Sequence, residues 1–399
     1  MSEANTSIGG NVRLARRRRG MSLEALAGLI GRSKGWMSMI ENGHLRLERR
    51  QDIAAIAEAL DVSADMLLGQ PAPEIQADSR AYSLTSLRAA LLDAALDDPR
   101  DLPARPIAVL APLVPTMDQA LRNTDYDAMH RELPSLLGDL QIHAATATGA
   151  ERDEALRLLI QTCASTTIML KHFGQTDLAW ISADRGRQAA SLLGDPVWSA
   201  AAAFGCAHAS SSANKRCALL RTPRIADQLE PRIGDDTFAH EVYGMLRLSA
   251  ALACAVQGDH QGAKVQSAEA ARVAEPLGNR PGAWEVFGTA NVGVWRTSLA
   301  VEAGNAEEAL THARGVEPRA LASSNRRAAL GMEKARALAM LGKNGDAVKE
   351  LRHAERLSRA QVHNAPMIRD LVAHMLERAR REAGGRELRG LAWRMGISP

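Results

Sequence analysis

The sequence predicts an all-α protein in two parts, a small N-terminal helical domain followed by a long array of paired helices. Three observations carry that expectation. Aromatic residues make up 3% of the 399 residues, and long Ala- and Leu-rich segments lack runs of β-branched residues, which disfavours strands. Residues 22–43 hold two short Ser-capped amphipathic segments around a glycine turn. From residue 123 onward, a small or polar turn with Ala five positions later returns at 123, 174, 213, 258, 304 and 342. A chain of this length exceeds one compact core, so two domains or a repeat array is expected.

Residues 1–10 are polar and read as a flexible N-terminus. A basic helix follows over Val12 to Arg19. Ser22 caps the next, in which Leu23, Leu26, Ala27 and Ile30 recur at helical spacing up to Gly31. Ser33 caps a third, with Met37 and Ile40 three apart and Asn42-Gly43 at its end. A brief glycine-bearing turn between two such helices is the helix-turn-helix pattern, with the second helix as the reading helix. A fourth helix over Ile53 to Leu60 and a fifth over Val62 to Leu68 complete a domain spanning 11–69.

Charge separates this bundle from one used only for protein contacts. The whole chain carries a net charge of only +3. Between residues 13 and 50, however, ten Lys or Arg stand against three Glu. Such a local excess suits a phosphate backbone, with affinity that falls steeply as salt rises.

The order of elements resembles the lambda-repressor-like, XRE-type DNA-binding domain: a basic first helix, Ser22 with Ala27, then Ser33 to the closing Ile40-Glu41-Asn42-Gly43. The resemblance implies a five-helix domain that reads a double-stranded DNA operator from the first turns of the third helix. By position it places Lys34, Gly35 and Met39 toward the major groove and Trp36 and Ser38 at the backbone or groove wall. Arg32, Ser33, Asn42 and Arg46 complete the DNA-facing set, and Arg16 and Glu41 match a structural ion pair between the first and third helices. Two positions depart from the family. Gly35 stands where a polar reader is common, and Leu23 replaces a frequent Gln, which shifts specificity onto Lys34 and DNA shape.

Residues 70–83 combine Pro71 and Pro73 with polar residues and read as a stiffened linker. Leu84, Leu87, Leu91, Leu92 and Leu96 then mark an amphipathic helix stopped near Pro99. Over 84–385 the recurring helix pairs resemble degenerate tetratricopeptide repeats, which implies an α-solenoid with a concave inner surface. Residues 386–399, with Leu388, Leu391, Ala392, Trp393 and Met395, read as a C-terminal capping segment.

Trp284, Asn291 and Trp295 lie at i, i+7 and i+11, on one face if a single helix carries them. An Asn between two indoles suits an extended peptide backbone. His240, Tyr243 and Arg247 share a face one unit earlier, and Trp198 and His208 one unit before that. These eight residues are the candidate ligand-binding set.

No phosphate-binding loop, zinc-protease motif or nucleophile motif is present, so enzymatic activity, a metal and a cofactor are not expected. Cys163, Cys206, Cys217 and Cys254 follow no metal or redox spacing and read as small core fillers. The N-terminus lacks a signal-type apolar core and no segment reaches spanning length, so a cytoplasmic location away from membranes is expected. Proteins that join an XRE-type head to tetratricopeptide-like repeats resemble the peptide-responsive quorum-sensing regulators of Gram-positive bacteria. That resemblance implies a homodimer whose repeat domain binds a signal, a peptide or a small molecule, and so sets the geometry of two heads. An interaction scaffold that recruits a protein partner, or a ligand-independent phage-type or antitoxin-like repressor, remains open on the sequence.

Overall fold

The structure is a computed structural model, described here for residues 7–69, 84–92, 95–209, 212–379 and 385–397. The linker assigned to 70–83 lies outside the described residues. Every described element is helical: 22 α-helices and three 3-10 turns, with no strand among the described residues.

Five helices make the head: α1 Ile8–Arg18, α2 Leu23–Leu29, α3 Lys34–Glu41, α4 Arg50–Leu60 and α5 Ala64–Leu68. Hydroxyl caps start four of them. Ser7, Ser22, Ser33 and Ser63 accept from the amides of Gly10, Ala25, Trp36 and Met66. The first helix therefore begins at Ile8, four residues before the expected start at Val12. Ser7 is the cap, and Ile8 is already buried in the head core with Val12, Leu26, Met37, Ile40, Ile56 and Leu60. Gly9 is needed where α1 meets the end of α3, since a β-carbon there would fall 2.0 Å from the Ile40 carbonyl oxygen.

The rest of the chain is built of paired helices. Thr176–Leu193 packs on Gly149–His172, His260–Leu277 on Thr237–Val256, Ala306–Arg314 on Thr289–Glu302, and Asn344–Leu357 on Ser324–Met340. The turns at Gly174, Gly258, Gly304 and Gly342 join these pairs at their expected places, each glycine in the left-handed region. Between Leu113–Asn123 and Tyr126–Thr146, Thr124 adopts that conformation without glycine. The turn expected at Ala213 is displaced, because residue 213 already lies within the helix Ser212–Leu229.

The array curls back on itself. Arg122 donates to the Ala283 carbonyl at 3.1 Å and Asn325 to that of Leu121 at 3.4 Å. Farther along, Thr124 donates to Leu357 O at 2.8 Å and Asn364 to His172 O at 3.0 Å. Early and late helix pairs therefore meet across the axis, and what repeat periodicity suggests as an open concave face becomes a central cavity of about 300 Å³.

Candidate functional site

The exposed side of α3 carries the residues that sequence reasoning assigns to DNA. Ser33, Lys34, Gly35, Met39 and Asn42 are exposed, Ser38 is half-buried, and Met37 and Ile40 point into the head core. Among the described residues Lys34 reaches only Glu24 of α2, at 3.0 Å between two exposed groups, a contact worth little in water. Arg32 lies over the Trp36 ring at 5.0 Å and pairs with Asp52 at 2.9 Å, so Trp36 is part of the head's packing as well as its surface. Arg17 and Arg18 on α1 are exposed without an acidic partner among the described residues. Arg16 and Glu41 form a buried bidentate pair, with Nε–Oε1 2.5 Å and Nη2–Oε2 2.7 Å. The hydrogen bond to Glu41 raises the Arg16 guanidinium above its ordinary value, and its Nη1 also donates to Met21 O, which ties α1 to both α3 and the turn before α2.

Arg46 does not belong to this surface. Its Nε donates to Asp370 at 3.1 Å and its side chain is only 7% exposed, locked between head and body. The acid that captures it is 324 residues away, so no local pattern reveals it.

The same docking continues along the head. Ile8 N donates to Asp370 at 3.2 Å, and Met367 joins the head core. Arg50, the first residue of α4, donates its amide to Glu302 at 2.7 Å and forms a short ion pair with it. Arg336 reaches the same fully buried carboxylate at 2.9 Å and the Glu48 carbonyl at 2.6 Å.

Residues 7–68 match the model of the helix-turn-helix domain family. This part of the chain is a helix-turn-helix domain. No curated protein sequence matches the chain. Among solved structures, the chain is similar to Bacillus thuringiensis PlcR in complex with the peptide PapR7 and DNA, at 11% identity and a TM-score of 0.31, over 91% of this chain and 99% of that one. The helix-turn-helix domain presents the outer side of α3, while the start of α1, the α3–α4 loop and the start of α4 rest on the helical region.

The cavity is the second candidate site. Part of its lining is an aromatic cluster, with Phe204 against Trp284 at 5.0 Å and His208 against Phe204 and Trp295 at 4.2 and 5.6 Å. The lining also carries the charged groups Asp118, Arg122, Lys171, Glu285 and Arg326. Burial, with the nearby Asp118, pushes the Glu285 carboxyl up to about 7 against the pull of Arg122, Arg326 and Lys171. Burial raises Asp118 too, although Ser165 donates to it. The same loss of water lowers Arg326 to about 10 and His172 to about 3, so the first stays charged at neutral pH and the second is neutral. Glu285 and Val286 both adopt positive φ, 48° and 59°, in the turn that aims Glu285 inward.

Of the eight candidate ligand residues, Trp284, Trp295 and His208 line the cavity. Trp284 and Trp295 do so from different elements. Trp284 sits in a 3-10 turn, Trp284–Val286, and the helix that carries Asn291 and Trp295 begins only at Thr289. Asn291 lies behind the wall and holds it, accepting from Arg326 Nε at 2.8 Å and donating to the Glu285 carbonyl at 3.1 Å. The remaining four do not reach it. Tyr243 and Arg247 face the neighbouring helices, where Tyr243 meets Glu269 at 3.0 Å and Arg247 meets Asp227 and Glu230 at 2.8 and 3.1 Å. Trp198 packs on Phe238 at 4.7 Å, and His240 turns back to the Asp236 carbonyl at 2.8 Å. Sequence spacing finds one helical face but not which neighbour that face meets. Sequence reasoning missed Arg326, Glu285 and Asp118, three of the cavity's charged groups, which come from three separate elements.

Three helices connect the two sites. Thr289–Glu302 bears Trp295 at the cavity and Glu302 at the head, and Ser324–Met340 bears Arg326 and Arg336 in the same order. Pro366–Ala379 offers Pro366 to the cavity and Asp370 to the head. At 1.5 Å per residue, the separation along the first two is about 10 and 15 Å.

Proposed function

We propose that this protein is a transcriptional regulator that binds an operator as a homodimer, with a signal in the cavity deciding how each head is held. The single observation that supports this reading is that the cavity and the head dock on the same three helices. A change of one helix pair at Arg326 or Trp295 displaces Glu302, Arg336 and Asp370, the groups that grip the head. A ligand acts through this route only if it prefers one arrangement of those helices over another. Reading helices of the two subunits then sit about 34 Å apart on a two-fold operator, and release or rotation of a head changes that spacing.

The experiment is fluorescence anisotropy of the full chain on duplexes from its own promoter region, across a salt series, with and without a small-molecule fraction of the host extract. Affinity should fall log-linearly with salt, differ between duplex sequences, and shift when the fraction is added. Affinity that is indifferent to sequence rules out an operator. Affinity that is selective but unmoved by the fraction rules out control by a signal it contains.

A further inference from the structure

Building on the sensing role just described, we propose that the cavity takes a compact organic monocarboxylate with an apolar or aromatic body, and that Arg326 holds its carboxylate. The guanidinium of Arg326 is fixed on one edge only, where Nε donates to Asn291. Its two terminal nitrogens have no hydrogen-bond partner, and no acid forms an ion pair with it, among the described residues. Asn291 is itself anchored to the Glu285 backbone, and the Trp295 ring lies 5.8 Å from the guanidinium carbon, so the fork is pre-set in direction. A planar fork with two vacant N–H edges at the wall of a cavity matches a carboxylate in geometry and charge.

The charge balance of the wall agrees. Arg122, Lys171 and Arg326 face Asp118 and Glu285, and Glu285 is half protonated near neutral pH, which leaves net positive charge for an anion. The two acids disfavour a phosphate dianion, which places a second negative charge beside them. Phe204, Trp284, Trp295, Met245, Ile168 and Leu121 supply apolar surface for the body of the molecule. Two lining atoms are buried without a partner, the Trp295 indole Nε1 and Gln361 Oε1. An unmet donor and an unmet acceptor at a cavity wall are costly unless a ligand or water completes them. A volume of about 300 Å³ lies at the small end of the range for organic-ligand sites and favours a compact molecule over a long extended chain.

The test uses the purified full chain, with tryptophan fluorescence and calorimetry as readouts. The probes are 3-phenylpropionate and hexanoate against their primary amides, and a Phe-ended tripeptide with a free or an amidated C-terminus. Saturable binding of a free acid, with the matching amide about tenfold or more weaker, is the expected result. Preference for the tripeptide acid over the small acids assigns the carboxylate to a peptide end, and the reverse assigns it to a metabolite. Arg326→Gln should bring the acid down to the level of the amide while leaving amide binding within about twofold. Arg326→Lys, which keeps the charge without the fork, should fall between the two and guards against a folding defect in the first variant. Equal binding of acid and amide, no saturable binding of any acid, or an acid preference that survives Arg326→Gln overturns the proposal. DNA affinity is measured on the same samples. Acid binding without any shift in DNA affinity sinks the sensing role and leaves the carboxylate site standing, whereas extract-responsive DNA binding without acid binding does the opposite.

Discussion

Glu302 is the group on which the grip between helical region and head turns, and Glu302→Gln is the most direct way to loosen it. The carboxylate is fully buried and takes the Arg50 amide at 2.7 Å, a short ion pair from the Arg50 guanidinium, and Arg336 at 2.9 Å. Burial opposes its ionisation, yet Arg50 and Arg336 hold the carboxyl below the ordinary range. In the variant, Arg336 keeps Glu333 within the helical region at 2.7 Å and still reaches the head through the Glu48 carbonyl at 2.6 Å. The head loses two charge-assisted hydrogen bonds at about 1.5 kcal/mol each, together roughly 3 kcal/mol, or a shift of about 150-fold toward the undocked head. Amide hydrogen exchange of the full chain reads this directly, because the Arg50 N–H is itself one of the bonds. Its exchange should accelerate by about two orders of magnitude, while the amides inside α1 and α3 keep their protection. Unchanged protection at Arg50 refutes the latch. A uniform loss of protection through the helical region also refutes it, since Glu302 would then serve the stability of that region and not the docking of the head.

Three other outcomes rest on the same contacts. Lys34→Ala should weaken operator binding by about 1–3 kcal/mol with no change in melting temperature, because its partner Glu24 is exposed; an unaltered anisotropy titration removes Lys34 from the interface. Glu41→Ala leaves the Arg16 guanidinium buried without its acid, at a cost of about 3–5 kcal/mol, enough to unfold a domain of this size in a urea titration followed at Trp36; a midpoint near that of the parent shows the pair to be dispensable. Glu285 has a folded-state pKa raised from 4.5 to about 7, so its contribution to stability is full below about pH 4.5 and is lost as pH rises through 7, by roughly 3 kcal/mol at most. Glu285→Gln should therefore raise the urea midpoint at pH 8.5 and leave it nearly unchanged at pH 4.5, and a difference that does not vary with pH contradicts the enclosed carboxyl.

Local chemistry in the sequence was enough to determine the head and the rhythm of the helix pairs beyond it. Ser22, Ser33 and Ser63 satisfy the first amides of their helices from within three residues, and Gly258 and Gly304 enter the left-handed turn on their own account. Such contacts do not depend on the rest of the chain. Arg16 and Glu41, 25 residues apart, were legible only because the order of helices around them resembles a known domain. The placement of Arg46, the separation of Trp284 from the helix of Trp295, and the meeting of Asp118, Glu285 and Arg326 in one cavity were decided by tertiary structure. Each repeat buries its apolar face against a neighbour and so leaves the same signature in sequence whichever way the array curls. The curl itself is set by contacts such as Arg122 to Ala283 and Asn364 to His172, which join residues 161 and 192 positions apart. A periodic pattern records which side of a helix is covered, and only the closed superhelix determines what covers it.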